Sequence, residues 1–532
     1  MMRAKLAVLM TAAAGLLLAA AALAVSSSQS QANSPQVAGD ATSDTTAKFP
    51  TNKQNEPSIA VNPLNAASLV AGANDEQREP ACGPGPVRGA TAARNDCSFF
   101  PGIGSDGVYT SSDGGSTWTN RGLLPGFSDT GGSLVSDGDP ELVYGPKPDG
   151  HGGFTFANGA RVYYAGLAST APGFEQGNQA PEFLTVSRSD DNGVTWSDPV
   201  LAVDGSGFNF NDHPEIAADR NSSSPFFGRV YLAWTDFRSI PSTSEPAEVS
   251  YSTDGGSTWS KPNQLSAAFN NTAKGGRQDA YVAVGPDGTV YVFEDQGSQM
   301  VFWKSVDGGA TWSHGQAIAS YTNISDPIPG ANFRDATYPS AAVDQRNGAV
   351  YVAWADAGSG SGRIVVTRST DGGATWSSPV AVSTAREGYA YFQGLDVAPN
   401  GRVDVAYQAL TAKSSSTYGT GNASVASYYV ESTDGGATWS RPARVSAFSD
   451  PSASAQNNLE RQFWGDYNTL VSTNANAFFI YTDARNGVGC PAVDAYQHGI
   501  DRSGPATTKP APEDVCPAQF GNSDAFVSKI AP

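Results

Sequence analysis

Side chains that can carry chemistry recur at the ends of short apolar segments along this chain of 532 residues. A carboxyl can move a proton at a reacting bond, and an arginine can bind a carboxylate through two parallel hydrogen bonds. The carboxylates that we consider for catalysis are Glu56, Asp75, Asp139 and Asp212. The residues that we consider for substrate binding are Arg277, Arg334, Arg461, Tyr338, Tyr391, Trp464 and Asp466. Together they suit a pocket for a sugar or a carboxylate. The alternative is that the acids and arginines pair with one another and hold the elements together.

These residues flank a pair of strands that the sequence predicts several times. The first strand appears as NEPSIAVNP (Asn55–Pro63), DHPEIAADR (Asp212–Arg220) and TYPSAAVDQRNG (Thr337–Gly348). The second appears as VYLAWTD (Val230–Asp236) and VYVAWAD (Val350–Asp356). A third strand then leads into a turn and a fourth leaves it. The repeated unit is therefore predicted to be a four-stranded antiparallel sheet.

The turn between the third and fourth strands has a fixed pattern, Ser-x-Asp-x-Gly-x-Thr-Trp, which we call the Asp box. The Asp can accept hydrogen bonds from turn amides, and the hydroxyls of Ser and Thr can brace the same turn. The fourth position is Gly or Asn and the fifth is Gly, because a tight hairpin needs residues that tolerate positive φ. The Trp supplies an apolar plate for packing. We therefore predict a structural role for the box aspartates, Asp113, Asp191, Asp254, Asp307, Asp371 and Asp434.

Radial repetition of this unit predicts an all-β fold, a β-propeller. Seven blades are predicted, with six blades and an accessory unit as the alternative. The last unit has a third strand at DAFVSKI (Asp524–Ile530) but no fourth, so PQVAG (Pro35–Gly39) is a candidate for the strand that closes the ring. In each blade the start of the first strand and the end of the second lie opposite the Asp boxes. We call this the upper face, and we expect the functional site there.

The N-terminal segment differs from the rest of the chain. Arg3 and Lys5 precede an apolar run from Leu6 to Val25, which predicts a secretory signal peptide over residues 1–32. Small residues permit cleavage after Ala24 or after Ala32. We expect a secreted protein, and the alternative is a membrane anchor that is not cleaved. Residues 33–48 are predicted to be a linker or the closing strand, and residues 49–532 a single propeller.

The four cysteines agree with export. Three pairings are open in principle. The local pairs, Cys82 with Cys97 and Cys490 with Cys516, are favoured because each would close a long loop that lacks its own core. A zinc site built from cysteines is not indicated, because the chain has no C-x-x-C pair.

Charge and motif content restrict the partners. The net charge of −19 argues against a nucleic-acid partner, since binding a polyanion requires a basic face. The chain has no Gly-x-Ser-x-Gly, His-Glu-x-x-His or phosphate-loop motif, and only four histidines. We therefore predict no required cofactor and no histidine-rich metal site, with a structural Ca²⁺ on the acidic rim as a further hypothesis. We expect a monomer that does not contact the membrane once the signal peptide is removed.

The Asp boxes and the four-strand repeat, from about Phe49 to Ile530, resemble the Asp-box (BNR-repeat) propellers of the sialidase superfamily. The resemblance implies a tyrosine nucleophile, an activating glutamate, an acidic proton donor and a cluster of three arginines. DYNTLVS (Asp466–Ser472) resembles the family's Tyr-Ser-x-Leu segment and nominates Tyr467. Arg277, Arg334 and Arg461 are the candidates for the arginine cluster.

The sequence departs from the family pattern in one place. The family's first arginine lies in an Arg-Ile-Pro motif, and here Asn55 stands where that arginine belongs. Glu56, Glu141 and Glu215 are nearby carboxylates, but none matches the activating glutamate. The resemblance implies a secreted glycan-active propeller that acts as a glycoside hydrolase of the exo-sialidase type. The alternative is a non-catalytic propeller that binds carbohydrate or protein, so the question of enzyme or binding module stays open.

Overall fold

The computed structural model describes residues 25–35, 53–75, 105–169, 182–205, 209–238, 244–267, 279–415, 419–456, 459–501, 504–510 and 512–532. In these ranges the strands form seven sheets of four antiparallel strands each. The chain is thus an all-β propeller of seven blades, as predicted. The first described strand, β1 (Ser26–Gln31), belongs to the last blade.

Six blades follow one another along the chain. Blade 1 contains β2 (Gln54–Val61), β3 (Leu69–Asp75), β4 (Ser105–Ser111) and β5 (Thr119–Leu123). Blade 2 contains β6 (Val135–Pro148), β7 (Phe154–Ser169), β8 (Phe183–Ser189) and β9 (Val200–Val203). Blade 3 contains β10 (Asn209–Ala218), β11 (Val230–Arg238), β12 (Ala247–Ser252) and β13 (Asn263–Gln264).

The remaining blades follow the same order. Blade 4 contains β14 (Tyr281–Val284), β15 (Val290–Asp295), β16 (Gln299–Ser305) and β17 (Gln316–Ser320). Blade 5 contains β18 (Ser340–Val343), β19 (Val350–Asp356), β20 (Arg363–Ser369) and β21 (Val380–Ala381). Blade 6 contains β22 (Tyr389–Val397), β23 (Val403–Ala412), β24 (Ala423–Ser432) and β25 (Ala443–Arg444). Blade 7 contains β26 (Thr469–Ser472), β27 (Ala477–Asp483), β28 (Asp524–Ala531) and, as its outermost strand, β1.

The Asp boxes occupy the turns between the third and fourth strands of blades 1 to 6, as predicted. In blade 3, Asp254 Oδ1 accepts the backbone N–H of Thr258 at 2.9 Å, and Oδ2 accepts its hydroxyl at 2.6 Å. Gly255 and Gly256 both have positive φ. The box Trp259 packs against a core cluster that includes Tyr163 of blade 2. Each such box therefore closes a hairpin and, through its tryptophan, helps to seal one blade against its neighbour.

The ring closes differently from the prediction. Pro35–Gly39 was expected to supply the closing strand, but Ser26–Gln31 pairs with β28 instead, with Ser26 opposite Ala531 and Gln31 opposite Phe526. Residues 36–39 lie outside the described ranges. A hydrogen bond between side chains supports this register, since the Gln31 amide donates to Asp524 at 2.8 Å. The closing strand therefore lies inside the segment that was predicted to be the signal peptide.

The connection between β27 and β28 carries two helices, α1 (Pro491–Ile500) and α2 (Pro512–Val515). The predicted disulfide between Cys490 and Cys516 is present and joins the two ends of this insertion. The other predicted pair, Cys82 and Cys97, lies outside the described residues. Neither described helix is long and apolar enough to cross a membrane.

Candidate functional site

A β-bulge interrupts the first strand of several blades near its start. The strand register shifts between Asp212 and Glu215 in blade 3, and similar shifts occur in blades 1, 2 and 6. At these bulges and just before β14, non-glycine residues adopt positive φ: Glu56 (49°), Asp139 (55°), His213 (50°), Asp279 (70°) and Phe392 (46°). L-residues rarely adopt this conformation, and clusters of such strain occur at functional sites. Five of the seven blades therefore carry the same strained position at the upper face.

The bulges direct side chains to the centre of the ring. The rings of Tyr467 in blade 7 and His213 in blade 3 lie 4.3 Å apart between centroids. The Tyr467 hydroxyl lies 3.4 Å from the backbone oxygen of Pro140 in blade 2. Blades 7 and 3 are not neighbours, so these side chains can meet only near the axis of the propeller. The predicted site residues Glu56, Asp139, Tyr338, Asp466 and Tyr467 belong to this central group.

Glu56 is the most enclosed carboxyl of the central group, at 3% exposed. Its Oε2 accepts a hydrogen bond from the Asn74 amide at 2.6 Å, and its carboxyl hydrogen bonds with that of Asp139. Burial, and next the negative charge of Asp466, raise the pKa of Glu56 to about 7. Arg334 opposes this rise. Burial, followed by the charge of Glu56, likewise raises the pKa of Asp139.

Arg334 links two carboxylates of the central group. Its Nε donates to Asp466 Oδ1 at 2.8 Å and its Nη2 donates to Asp466 Oδ2. The same Nη2 lies 3.7 Å from Glu56 Oε1. The guanidinium is about half exposed and lies 5.3 Å from the ring centroid of Phe463. Arg334 is therefore at the predicted place, but two nitrogens of its guanidinium already donate to Asp466.

The phenol of Tyr467 lies among carboxylates, but none of those in the described ranges accepts a hydrogen bond from it. Burial, followed by the charges of Asp139 and Glu56, raises its pKa well above the usual value for tyrosine. Its hydrogen-bond partner is a backbone carbonyl, which cannot accept a proton at neutral pH. Tyr467 therefore occupies the place predicted for the nucleophile, but the geometry around it does not favour the phenolate.

Other predicted residues lie away from the centre. Tyr391 and Trp464 are fully buried in a core cluster, where both rings contact Phe333, so neither belongs to a rim that a ligand can reach. Asp75 is also fully buried and accepts hydrogen bonds from Gln54 at 2.7 Å and Tyr109 at 2.5 Å.

The predicted arginine cluster is not assembled within the described part of the chain. Arg461 pairs with Asp326 at 3.0 Å, and both side chains are more than a third exposed. Arg277 lies outside the described residues. Asp212 lies near enough to Glu56 for its charge to raise the pKa of that group. Asn55, at the place of the family's first arginine, is buried and accepts a hydrogen bond from Asn74 at 2.9 Å.

The structure adds a second layer of buried groups that the sequence analysis did not assign. Glu141, His213 and Glu215 place ligand-type atoms within 4.8 Å of one another, and all three are buried. Burial raises the pKa of Glu141 to about 8 and that of Glu215 well above its usual value. A cavity at the centre of the ring is lined by these three residues together with Tyr338 and Tyr467. These residues could have been found from a repeated sequence pattern, a polar residue followed by Pro-Glu, which occurs as DPEL (139–142) and HPEI (213–216).

Comparison with known proteins supports the fold assignment. A family model described as a BNR repeat-like domain matches residues 228–412. The anhydrosialidase of Macrobdella decora is 25% identical over 247 residues, which are 42% of this chain and 29% of that protein. The match therefore spans less than a third of that relative's length.

Two solved structures match this chain at low sequence identity. A Hadza microbial sialidase has a TM-score of 0.40 and 18% identity, covering 75% of this chain and 68% of that one. An α-L-arabinofuranosidase from Fusarium graminearum has a TM-score of 0.41 and 15% identity, covering 67% of this chain and 88% of that one. At these TM-scores neither structure indicates a function for this chain.

Proposed function

We propose that this chain, an Asp-box propeller of the sialidase superfamily, is a glycoside hydrolase that acts on a neutral glycan, with Glu56 as the general acid and Asp466 as the second carboxyl group. The observation that carries the proposal is the position of these two groups. Both carboxyls contact the same nitrogen of Arg334, at the centre of the upper face. Two carboxyl groups beside the scissile bond are the usual machinery of glycoside hydrolysis.

The two carboxyls lie in different environments. Glu56 is buried with its pKa near 7, so it can hold a proton at neutral pH and release it. Asp466 is more exposed and accepts two hydrogen bonds from the guanidinium of Arg334. In the reaction, the bond between the anomeric carbon and the glycosidic oxygen breaks as Glu56 protonates that oxygen. Water then supplies the hydroxyl group to the anomeric carbon, and its remaining proton passes to a carboxylate.

The charge of the centre favours a neutral substrate over a sialoside. A sialoside carries its own carboxylate, which would lie near the negative charge of Asp466, the charge that already raises the pKa of Glu56. The nearby guanidinium of Arg334 is already paired with Asp466. Like charges at short range in a poorly solvated site repel strongly. The exo-sialidase reaction and the nucleophilic role of Tyr467 therefore stay predictions, with less support than the reaction of two carboxyls.

The test is turnover of a panel of fluorogenic glycosides, neutral sugars and sialosides, by wild type, Glu56→Gln, Asp466→Asn and Tyr467→Phe. We expect turnover of a neutral glycoside that falls by about 10²–10⁴-fold in Glu56→Gln, the range for loss of a general acid. Tyr467→Phe should stay within a few-fold of wild type. The control is Asp326→Asn, because it also removes a carboxylate from an arginine pair, but at the exposed rim.

Two outcomes would overturn the proposal. Sialoside turnover that collapses in Tyr467→Phe would establish the sialidase mechanism instead. No turnover across the panel, together with binding of labelled glycans to the wild type, would support the non-catalytic binding propeller. Secretion and a structural Ca²⁺ stay predictions that this panel does not address.

A further inference from the structure

We propose that Glu141, His213 and Glu215 form a binding site for a first-row divalent cation, of the Zn²⁺ class, inside the central channel of the propeller. The site lies next to the proposed catalytic carboxyls and shares none of their residues. Glu141 is on β6 of blade 2, and His213 and Glu215 are on β10 of blade 3. A bound cation would thus join two blades, which goes beyond the hydrolysis proposed above.

The three side chains have the reach that a small cation requires. Their ligand-type atoms lie within 4.8 Å of one another. A tetrahedral cation with bonds of about 2.0–2.2 Å keeps its ligand atoms about 3.3–3.6 Å apart, so the side chains need to draw in by up to about 1.5 Å, which side-chain rotation can supply. The two glutamates follow the bulge prolines Pro140 and Pro214 at equivalent positions in their blades. The same local geometry therefore sends both carboxylates to one point.

His213 is oriented as a metal-binding histidine usually is. Its Nδ1 faces the carboxylate of Asp279, which comes from blade 4. Its Nε2 is buried, and none of the described residues forms a hydrogen bond with it. A buried polar atom normally finds a partner, and an unsatisfied one requires an explanation such as an ion. A histidine that ligates a metal through one nitrogen typically donates the other N–H to a carboxylate. Asp279 is thus a positioning residue for this site.

The described part of the chain gives the two glutamates no positively charged partner. Glu141 accepts hydrogen bonds from the hydroxyls of Ser58 at 2.8 Å and Thr469 at 3.4 Å. Within the described ranges, no arginine or lysine forms an ion pair with Glu141 or Glu215. Two buried carboxylates without a cation are costly to ionise. A divalent ion would supply the missing positive charge.

The ligand set selects the class of cation. One imidazole nitrogen and two carboxylates suit Zn²⁺ or a neighbouring first-row ion, and three protein ligands leave one position for water. Ca²⁺ takes six to eight oxygen ligands and gains little from a histidine. The Ca²⁺ that the sequence suggested for the acidic rim would be a separate ion.

The experiment is titration of chelator-treated full-length protein with Zn²⁺ by calorimetry, and with Co²⁺ by visible absorption. We expect one ion per chain, a Co²⁺ spectrum that shows nitrogen ligation, and displacement of Co²⁺ by Zn²⁺. Asp279→Asn keeps all three ligands and should weaken Zn²⁺ binding by about 10–100-fold. Glu215→Gln should abolish stoichiometric binding. His314→Gln is the matched control, because His314 is exposed and lies beside an Asp box on the opposite face.

Several results would overturn the proposal. These are the absence of saturable Zn²⁺ binding by the wild type, the same affinity in wild type and Asp279→Asn, or a site that prefers Ca²⁺ over Zn²⁺. If Glu215→Gln fails to fold, the Co²⁺ spectrum of the wild type still decides whether a nitrogen ligand is present. None of these readouts depends on glycoside turnover, so this proposal and the proposed hydrolase activity can fail independently.

Discussion

At the scale of the residue, the burial that suits Glu56 to catalysis also destabilises the folded chain. The folded state holds the proton of Glu56 up to about pH 7, whereas an ordinary glutamic acid loses it near 4.5. Between these values the folded state binds more protons than the unfolded state. The contribution of Glu56 to stability therefore falls as the pH rises through this window, and the penalty is complete above pH 7. The penalty is about 3 kcal/mol at most.

Glu56→Gln should therefore stabilise the protein at alkaline pH while removing activity. Glutamine can still accept the hydrogen bond from Asn74 and can donate one to Asp139, and it carries no charge to desolvate. We expect a higher free energy of unfolding than wild type at pH 8 and no difference at pH 4.5. Urea unfolding at the two pH values measures this. A loss of stability at both values would contradict the prediction, and Asp326→Asn again serves as the control.

At the scale of the element, the Asp box is a self-contained hairpin. Asp254 accepts hydrogen bonds from Ser252, Ser257 and Thr258, all within its own turn. The partners are close in sequence, so the local pattern of residues is enough to specify the hairpin. This is why the sequence predicted six box hairpins, their place between the third and fourth strands, and the count of seven blades.

The box predicts a specific pair of variants. Thr258→Val removes the hydroxyl that donates to Asp254 Oδ2 and should lower the free energy of unfolding by about 1 kcal/mol. Thr258→Ser keeps the hydroxyl and should lie close to wild type. Denaturant unfolding compares the two. Neither variant should alter glycoside turnover, because the box lies on the face opposite the central group, and a loss of turnover would contradict the structural role.

The central site was less predictable because each bulge changes which side chains point to which face of the sheet. Strand alternation sends successive side chains to opposite faces, so one extra residue exchanges the two faces. In blade 6 the bulge leaves Tyr391 in the core and Phe392 on the channel. In blade 3 it brings His213, next to the predicted Asp212, to the axis. A left-handed residue that is not glycine gives no sequence signal. The sequence analysis found Glu56, Asp139 and Asp466, but it could not predict which side chains surround them.

At the scale of the whole molecule, the ring is closed by contacts between the two ends of the chain. Ser30 donates a hydrogen bond to the backbone oxygen of Gly115 at 2.7 Å and accepts one from Trp118 at 3.0 Å, so β1 also touches the Asp box of blade 1. Asn33 donates to Asp524 at 2.9 Å, and its own oxygen accepts the backbone N–H of Ala525 at 3.0 Å. The last blade therefore depends on a segment that the sequence assigned to export.

This closure predicts that the two proposed cleavage sites differ in their effect on stability. Cleavage after Ala24 leaves β1 in place, whereas cleavage after Ala32 removes it and exposes the edge of β28 from Phe526 to Ala531. We expect a chain that begins at Val25 to be stable and one that begins at Asn33 to lose on the order of 3 kcal/mol or more, since several hydrogen bonds are lost at about 1 kcal/mol each. Denaturant unfolding of the two chains measures the difference, and the intact mass of the exported protein identifies the site used. Equal stability of the two chains would mean that β1 does not close the ring in solution, and an exported chain that begins at Asn33 would mean that blade 7 works with three strands.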